Sequence, residues 1–133
     1  MAIIPLSKNG TTPFQKLLRH NSEVLTYWRK LSESLETGNC LSKSLKEEIR
    51  RMLAQQSGCL YCKTKGKPTK QMFNHKDSIC IGFVEVYLKV GSQIPPYAVR
   101  LLKENLSNAE ISELIAFISF TVCQQNFGAI MNL

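Results

Sequence analysis

The chain lacks any apolar run long enough to span a membrane, any clear hairpin signal and nearly all histidine, and each gap narrows what it can be. The most apolar stretch, Leu114 to Cys123, is about half of the roughly 20 residues a span needs. It reads instead as a buried helix or a subunit interface, and no membrane contact is expected. The start, Met1-Ala-Ile-Ile-Pro5, is too short for a secretory leader and has no basic n-region, so a cytoplasmic location is expected. No Asn-Gly or Asp-Gly lies between alternating apolar runs, which argues against hairpins. Internal repeats and low-complexity tracts are absent. The five cysteines are odd in number and suggest no disulfide framework; reduced thiols are expected, with one reversible pair allowed.

What is present fits one soluble domain. A chain of 133 residues is normally a single domain, here 1–133. It is long enough to bury roughly two-thirds of its unfolded surface. Its 44% hydrophobic and 20% charged content is ordinary for a globular protein. Lys and Arg outnumber Asp and Glu by 17 to 10, giving a formal net charge of +7. That excess would suit a polyanion, but the basic residues are spread along the chain except in one cluster, and a solvated basic surface is the first reading. Nucleic acid is not expected as a partner.

Apolar residues recur mostly at helical spacing. A first helix is predicted from near Thr12, with Pro13 at its first position and Phe14, Leu17, Leu18, Val24, Trp28, Leu31 and Leu35 as one stripe, ended by Gly38. Ser44 with Glu47 reads as a capping box for a second, backed by Leu45, Ile49, Met52 and Leu53. Gly58 interrupts that helix just before Cys59, and Gly66-Lys67-Pro68 closes the short turn that follows. Residues 63–76 hold Lys63, Lys65, Lys67, Lys70 and Lys76 and no acid, as an exposed loop would. From Asp77 to Val90 the chain is apolar almost all round, so a strand is conceivable. Glu85 and Lys89, four apart in the favourable order, tilt the reading to helix. Gly91 stops it, Pro95-Pro96 opens a short helix with Val99, Leu101 and Leu102, and Ser107 with Glu110 caps a last one built on Ile111, Leu114, Ile115, Ile118, Val122 and Cys123. The expected fold class is all-α, a bundle of five or six helices.

The motif that carries chemistry is Cys59-Leu60-Tyr61-Cys62. On a helix the two sulfurs fall three residues apart, on one face, within reach of a disulfide. A cysteine in the first turn has its thiolate favoured by unpaired N–H groups and the helix dipole, and Lys63 and Lys65 add positive potential. A bare CxxC admits three readings: a redox pair, half a zinc site, or two core cysteines. Glu47 and Glu48, upstream on the helix feeding the motif, supply a carboxylate that could accept a proton from a thiol.

Glu47-x11-Cys59-x2-Cys62, with "AQQSGCLYC" as its body, resembles the carboxymuconolactone decarboxylase family, in its alkylhydroperoxidase D-like branch. The closing segment "LSNAEISELIAFISFTVCQQNFGAIMNL" looks like the family's final helix, with its acidic cap and the Asn126 region. The resemblance covers about residues 42–133, leaving 1–41 as an N-terminal helix region. It implies an alkylhydroperoxidase D-like all-α domain that assembles as a homo-oligomer, a trimer or hexamer. It also implies an antioxidant enzyme, a thiol-dependent peroxidase or disulfide reductase, with no metal or organic cofactor. Its substrate would be a peroxide or a disulfide, and a thiol-reducing partner protein would restore the dithiol. In such proteins the residue matching Cys62 attacks the peroxide, Cys59 resolves it as a disulfide, and Glu47 relays protons. Helix physics alone makes Cys59 the more acidic thiol, so the order of attack stays open. Active members carry a histidine four residues after the second cysteine, where this chain has Gly66, and Tyr61 stands where a second histidine can occur. His75 could substitute in space, although a histidine beside a lysine-rich loop is more often just exposed. No arrangement suited to lactone binding is visible, so the family's namesake decarboxylation is not expected.

Two alternatives come from other classes. Cys59, Cys62, His75 and Cys80 have spacing close to that of a small zinc module on a basic loop. Against it, the loop lacks apolar residues for a core of its own, and Cys80 sits within apolar Ile79-Cys80-Ile81. The other alternative is a helical oligomer whose CxxC serves only packing.

Overall fold

A computed structural model describes residues 1–69, 71 and 73–133. Among these residues all regular structure is helical. The elements are α1 (Pro13–Leu18), α2 (Ser22–Thr37), α3 (Lys43–Gln55), α4 (Leu60–Lys63), α5 (His75–Val90), α6 (Pro96–Asn105) and α7 (Asn108–Ile130). The all-α expectation holds, with seven helices where five or six were expected. One extra helix is the single turn of α4. The other comes from a break in the first predicted helix. Lys70, part of the predicted basic loop, lies outside the described residues.

That break has a local cause. Asn21 caps α2 by accepting the Val24 amide, after α1 has ended at Leu18. Restarting the helix resets its phase, so the single stripe expected from Phe14 to Leu35 does not exist. Leu17, Leu18, Leu25 and Leu35 are buried, whereas Val24 and Leu31 face outward at 42% and 48% exposure. Trp28 joins Phe14, Phe120 and Phe127 in an aromatic cluster between α1, α2 and α7. The second helix starts earlier than expected: Ser42 caps it through the Leu45 amide, and Ser44 lies inside it. Glu47 therefore closes no capping box and is left for other work.

The remaining punctuation acts as predicted. The turn from α5 closes at Gly91, whose φ of +67° is the left-handed conformation that a glycine adopts without strain. Pro96 opens α6, and Ser107 and Glu110 form a complete capping box on α7. The core joins Leu45, Ile49 and Leu53 of α3, Cys80, Phe83 and Val84 of α5, Leu102 of α6, and Leu114, Phe117 and Ile118 of α7. α7 is the central strut, touched by α2, α3, α4 and α6. Buried Lys46 ties three elements together: its ammonium donates to Leu35 O at 2.6 Å and Gly38 O at 3.1 Å, and pairs with Glu113 of α7 at 3.3 Å. Among the described residues no helix is long and apolar enough to cross a membrane.

Candidate active site

The site begins where α3 ends. Ser57 Oγ donates to Ala54 O at 2.9 Å and accepts the Cys59 amide at 3.3 Å, turning the chain out of the helix axis. α4 then starts with Cys59 as its N-cap residue, the sulfur accepting the Cys62 amide at 3.1 Å. Beyond α4 the chain runs back along α3. Gly66 lies against Arg51, and Thr69 donates to Glu48 Oε1 from its amide at 2.9 Å and from its hydroxyl at 3.0 Å.

Cys59 and Cys62 are joined as a disulfide, with Cα atoms 5.3 Å apart. Their exposures differ. Cys59 is fully buried, while Cys62 is partly exposed and lines a cavity of about 510 Å³. α7 supplies the surface behind the pair. A Cβ on Gly128 would stand 2.4 Å from Cys59 Sγ and 3.5 Å from Cys62 Sγ, so only glycine fits there.

The cavity is walled by five elements. α1 and α2 contribute Phe14 and Trp28, α3 contributes Glu47 and Arg50, α4 and its exit contribute Tyr61, Cys62 and Lys65, and α7 contributes Gln124 and Gln125. Glu47 and Cys62 thus face one space. The Glu47 carboxylate is held in a fork by Arg50, whose Nε donates to Oε2 at 3.2 Å and whose second nitrogen pairs with Oε1. Arg51 Nε lies 3.2 Å from the same Oε1. Gln125, buried on α7, donates to Arg50 O at 3.3 Å and so fixes the segment that carries this pair. Glu48, the other upstream carboxylate, is buried and anchors the returning loop instead.

Lys65 stands at the cavity rim with its ammonium 5.5 Å from the centre of the Tyr61 ring. Partial desolvation lowers its pKa from the ordinary lysine value, and the Arg50 guanidinium lowers it further, while Glu36 and Glu47 pull upward. A smaller cavity of about 320 Å³ adjoins this one and shares Glu36, Glu47, Arg50 and Gln124 in its lining.

Two histidine expectations are settled by geometry. Gly66 has φ of +115°, and a Cβ there would lie 3.2 Å from Arg51 Nε, so this backbone does not accommodate the histidine of the resembled pattern. His75 opens α5, is exposed, bonds Asn105 Oδ1 at 3.1 Å and is not among the cavity residues. It does not replace the missing imidazole. The zinc alternative also loses its ligand set. Cys59 and Cys62 are bonded to each other, Cys80 is buried in the core with its thiol pKa pushed up to about 11 by desolvation, and His75 is engaged at the α5 terminus. Among the described residues no three His, Cys, Asp or Glu side chains gather as a metal-binding group.

Of the residues singled out in the sequence, Cys62 and Glu47 line this cavity and Cys59 lies behind it, whereas Arg50, Gln125, Gly128 and the aromatic wall were not singled out. A signal for α7 did exist. Thr121, Gln125 and Gly128 interrupt the otherwise apolar buried face of α7 at near-helical spacing. Comparison with protein-family models, curated proteins and solved structures gives no match.

Proposed function

We propose that this protein is a CxxC thiol oxidoreductase that reduces peroxides, or exchanges disulfides, by cycling Cys59 and Cys62 between dithiol and disulfide. The observation that carries the reading is one cavity lined by both Cys62 and Glu47, with the partner sulfur of Cys59 buried directly behind. Accessibility favours Cys62 as the attacking sulfur, in line with the resemblance to the alkylhydroperoxidase D-like branch. In the reaction the Cys62 thiol gives its proton to Glu47, directly or through water, and the thiolate attacks the terminal oxygen of a hydroperoxide. The O–O bond breaks, sulfur is oxidised to the sulfenic acid, and the other oxygen leaves as an alcohol once protonated. The Cys59 thiol then displaces water from Cys62 to form the disulfide. Two thiols and one hydroperoxide yield one disulfide, one alcohol and one water.

The return half is thiol–disulfide exchange with a reducing partner protein, whose thiolate attacks Cys62, the accessible sulfur. Cys59 is then the leaving group, and the Cys62 amide that bonds its sulfur stabilises the departing thiolate. We further propose a cytoplasmic homo-oligomer, supported by outward-facing Val24, Tyr27 and Leu31 at helical spacing on α2. One observation favours a second reading. Gly66 at the position of the family histidine weakens the peroxidase route relative to disulfide exchange or a purely structural disulfide.

The test is direct. The protein is reduced, freed of metal and mixed with one equivalent of a small hydroperoxide, and free thiols and the mass of the peptide spanning Cys59 and Cys62 are followed. The reading expects rapid loss of two thiols, a mass lower by two hydrogens, and no turnover in Cys59→Ser or Cys62→Ser. Thiols that stay reduced, or serine variants with full activity, overturn it.

A further inference from the structure

The peroxide chemistry proposed above needs a proton donor for the leaving oxygen, and the usual histidine has no place here. The groups able to handle a proton around the cavity are few. Glu47 is occupied by Arg50 and Arg51, and it is the acceptor for the attacking thiol. Glu33 and Glu36 are exposed on α2, across the cavity from α4. Arg29 and Arg50 are guanidinium groups that do not release protons. Tyr61 and Lys65 remain, both from the short segment that carries Cys62.

Lys65 has the better geometry for an acid. It follows Cys62 by one turn, its amide bonding Cys62 O at 3.4 Å, so the two side chains rise from the same turn toward the same cavity. Its ammonium is drawn over the face of Tyr61, the residue before Cys62, at 5.5 Å. Among the described residues no carboxylate pairs with it, whereas Lys46, Arg50, Arg51 and Lys76 all hold ion pairs. An unpaired ammonium at a cavity rim keeps its protons available to a bound ligand.

We propose that Lys65 is the proton donor to the oxygen leaving Cys62-bound hydroperoxide, taking the part for which Gly66 offers no side chain. This rests on the peroxidase reading above. As the Cys62 thiolate bonds to the terminal oxygen and the O–O bond breaks, the Lys65 ammonium gives one proton to the departing alkoxide. Alcohol is released, the neutral amine regains its proton from solvent, and Glu47 gives the thiol's proton back to solvent. The groups facing the ammonium poise it for this role: partial desolvation and the like charge of Arg50 make it a stronger acid than a free lysine, and Glu36 and Glu47 oppose that shift.

The experiment measures hydroperoxide-driven thiol oxidation across pH for wild type, Lys65→Met and Lys65→Arg. The rate for wild type should rise as Cys62 ionises and fall again as Lys65 loses its proton, below the ordinary lysine value of 10.5. Lys65→Met should be slower by about a hundred-fold near neutrality and lack the alkaline fall. Lys65→Arg should keep the KM, leave kcat low and also lack the alkaline fall. A Lys65→Met protein with the wild-type rate and profile overturns the assignment, as does full rescue of kcat by arginine, which would reduce the lysine to a charge. A wild-type pair that never oxidises overturns the peroxidase reading itself, and this one with it.

Discussion

Gly128 and Cys59 meet so closely that one added carbon on the glycine would stand 2.4 Å from the cysteine sulfur. Cys59 Sγ is held by its bond to Cys62 and cannot swing away as the end of a flexible side chain could. Gly128→Ala therefore sets two effects against each other. Alanine in a helix interior gains up to about 1 kcal/mol over glycine, whereas overpacking a filled site costs about 1–3 kcal/mol. The contact is severe enough that the steric term should win, lowering the urea midpoint of the oxidised protein. A midpoint that rises would mean α7 can withdraw from the disulfide.

Thiol accessibility should divide the cysteines cleanly. In the native oxidised protein Cys40 and Cys123, both exposed, should react with an alkylating reagent at neutral pH. Cys80, buried and with its pKa raised to about 11, should react only on unfolding. After mild reduction Cys62 should label before Cys59, because only Cys62 lines the cavity. Mass mapping of labelled peptides checks the order, and early labelling of Cys59 would contradict it.

Restoring the histidine of the resembled pattern should not restore a relay. Gly66→His places a β-carbon at φ of +115° and against Arg51. Such backbone strain costs about 1–3 kcal/mol. Gly66 does not line the cavity, so the imidazole should add no rate to thiol oxidation while thermal stability drops. A faster, equally stable variant would show that residues 63–67 rearrange readily.

Glu47→Gln keeps the size of the side chain but removes the proton acceptor and one partner of Arg50. Thiol oxidation at neutral pH should slow by about ten- to ten-thousand-fold if that carboxylate is the general base. An unchanged rate would assign the base to another group.

Acid should weaken the junction of α5 and α7 first. Lys76 donates to Glu110 Oε2 at 2.5 Å, and Glu110 Oε1 accepts the Ser107 amide. The Lys76 hydrogen bond, followed by the Ser107 amide, holds the Glu110 pKa below its ordinary 4.5. A carboxylate whose pKa is depressed by folding adds stability that is present above the unfolded value and lost as pH falls through the folded one. The urea midpoint should therefore decline on acidification below about pH 4.5, and Glu110→Gln should be less stable at neutrality with a shallower decline. An identical acid slope in the variant would place the sensitivity elsewhere.

The sequence alone determined the elements whose signals are local. Pro13, Gly91, Pro95-Pro96 and the Ser107–Glu110 box mark helix ends through backbone geometry and short-range hydrogen bonds, which neighbours in sequence supply. Cys59, Cys62 and Glu47 were legible because residue type and spacing carry their chemistry. The break at 19–21 was less so, since a capping asparagine inside an apolar stripe competes with a continuous period, and the Asn21 cap on Val24 wins.

Tertiary structure decided what those residues face. Glu47 and Cys62 share a space because α4 packs against α3 and α7, and buried Glu48 anchors the chain beyond α4 from twenty-one residues away through Thr69. Which sulfur is open depends on α7, which approaches Cys59 through Gly128, sixty-nine residues downstream, and leaves Cys62 at the cavity wall. Exposure, cavity shape and the company a lysine or glutamate keeps are sums over contacts distant in sequence, and no local pattern encodes them.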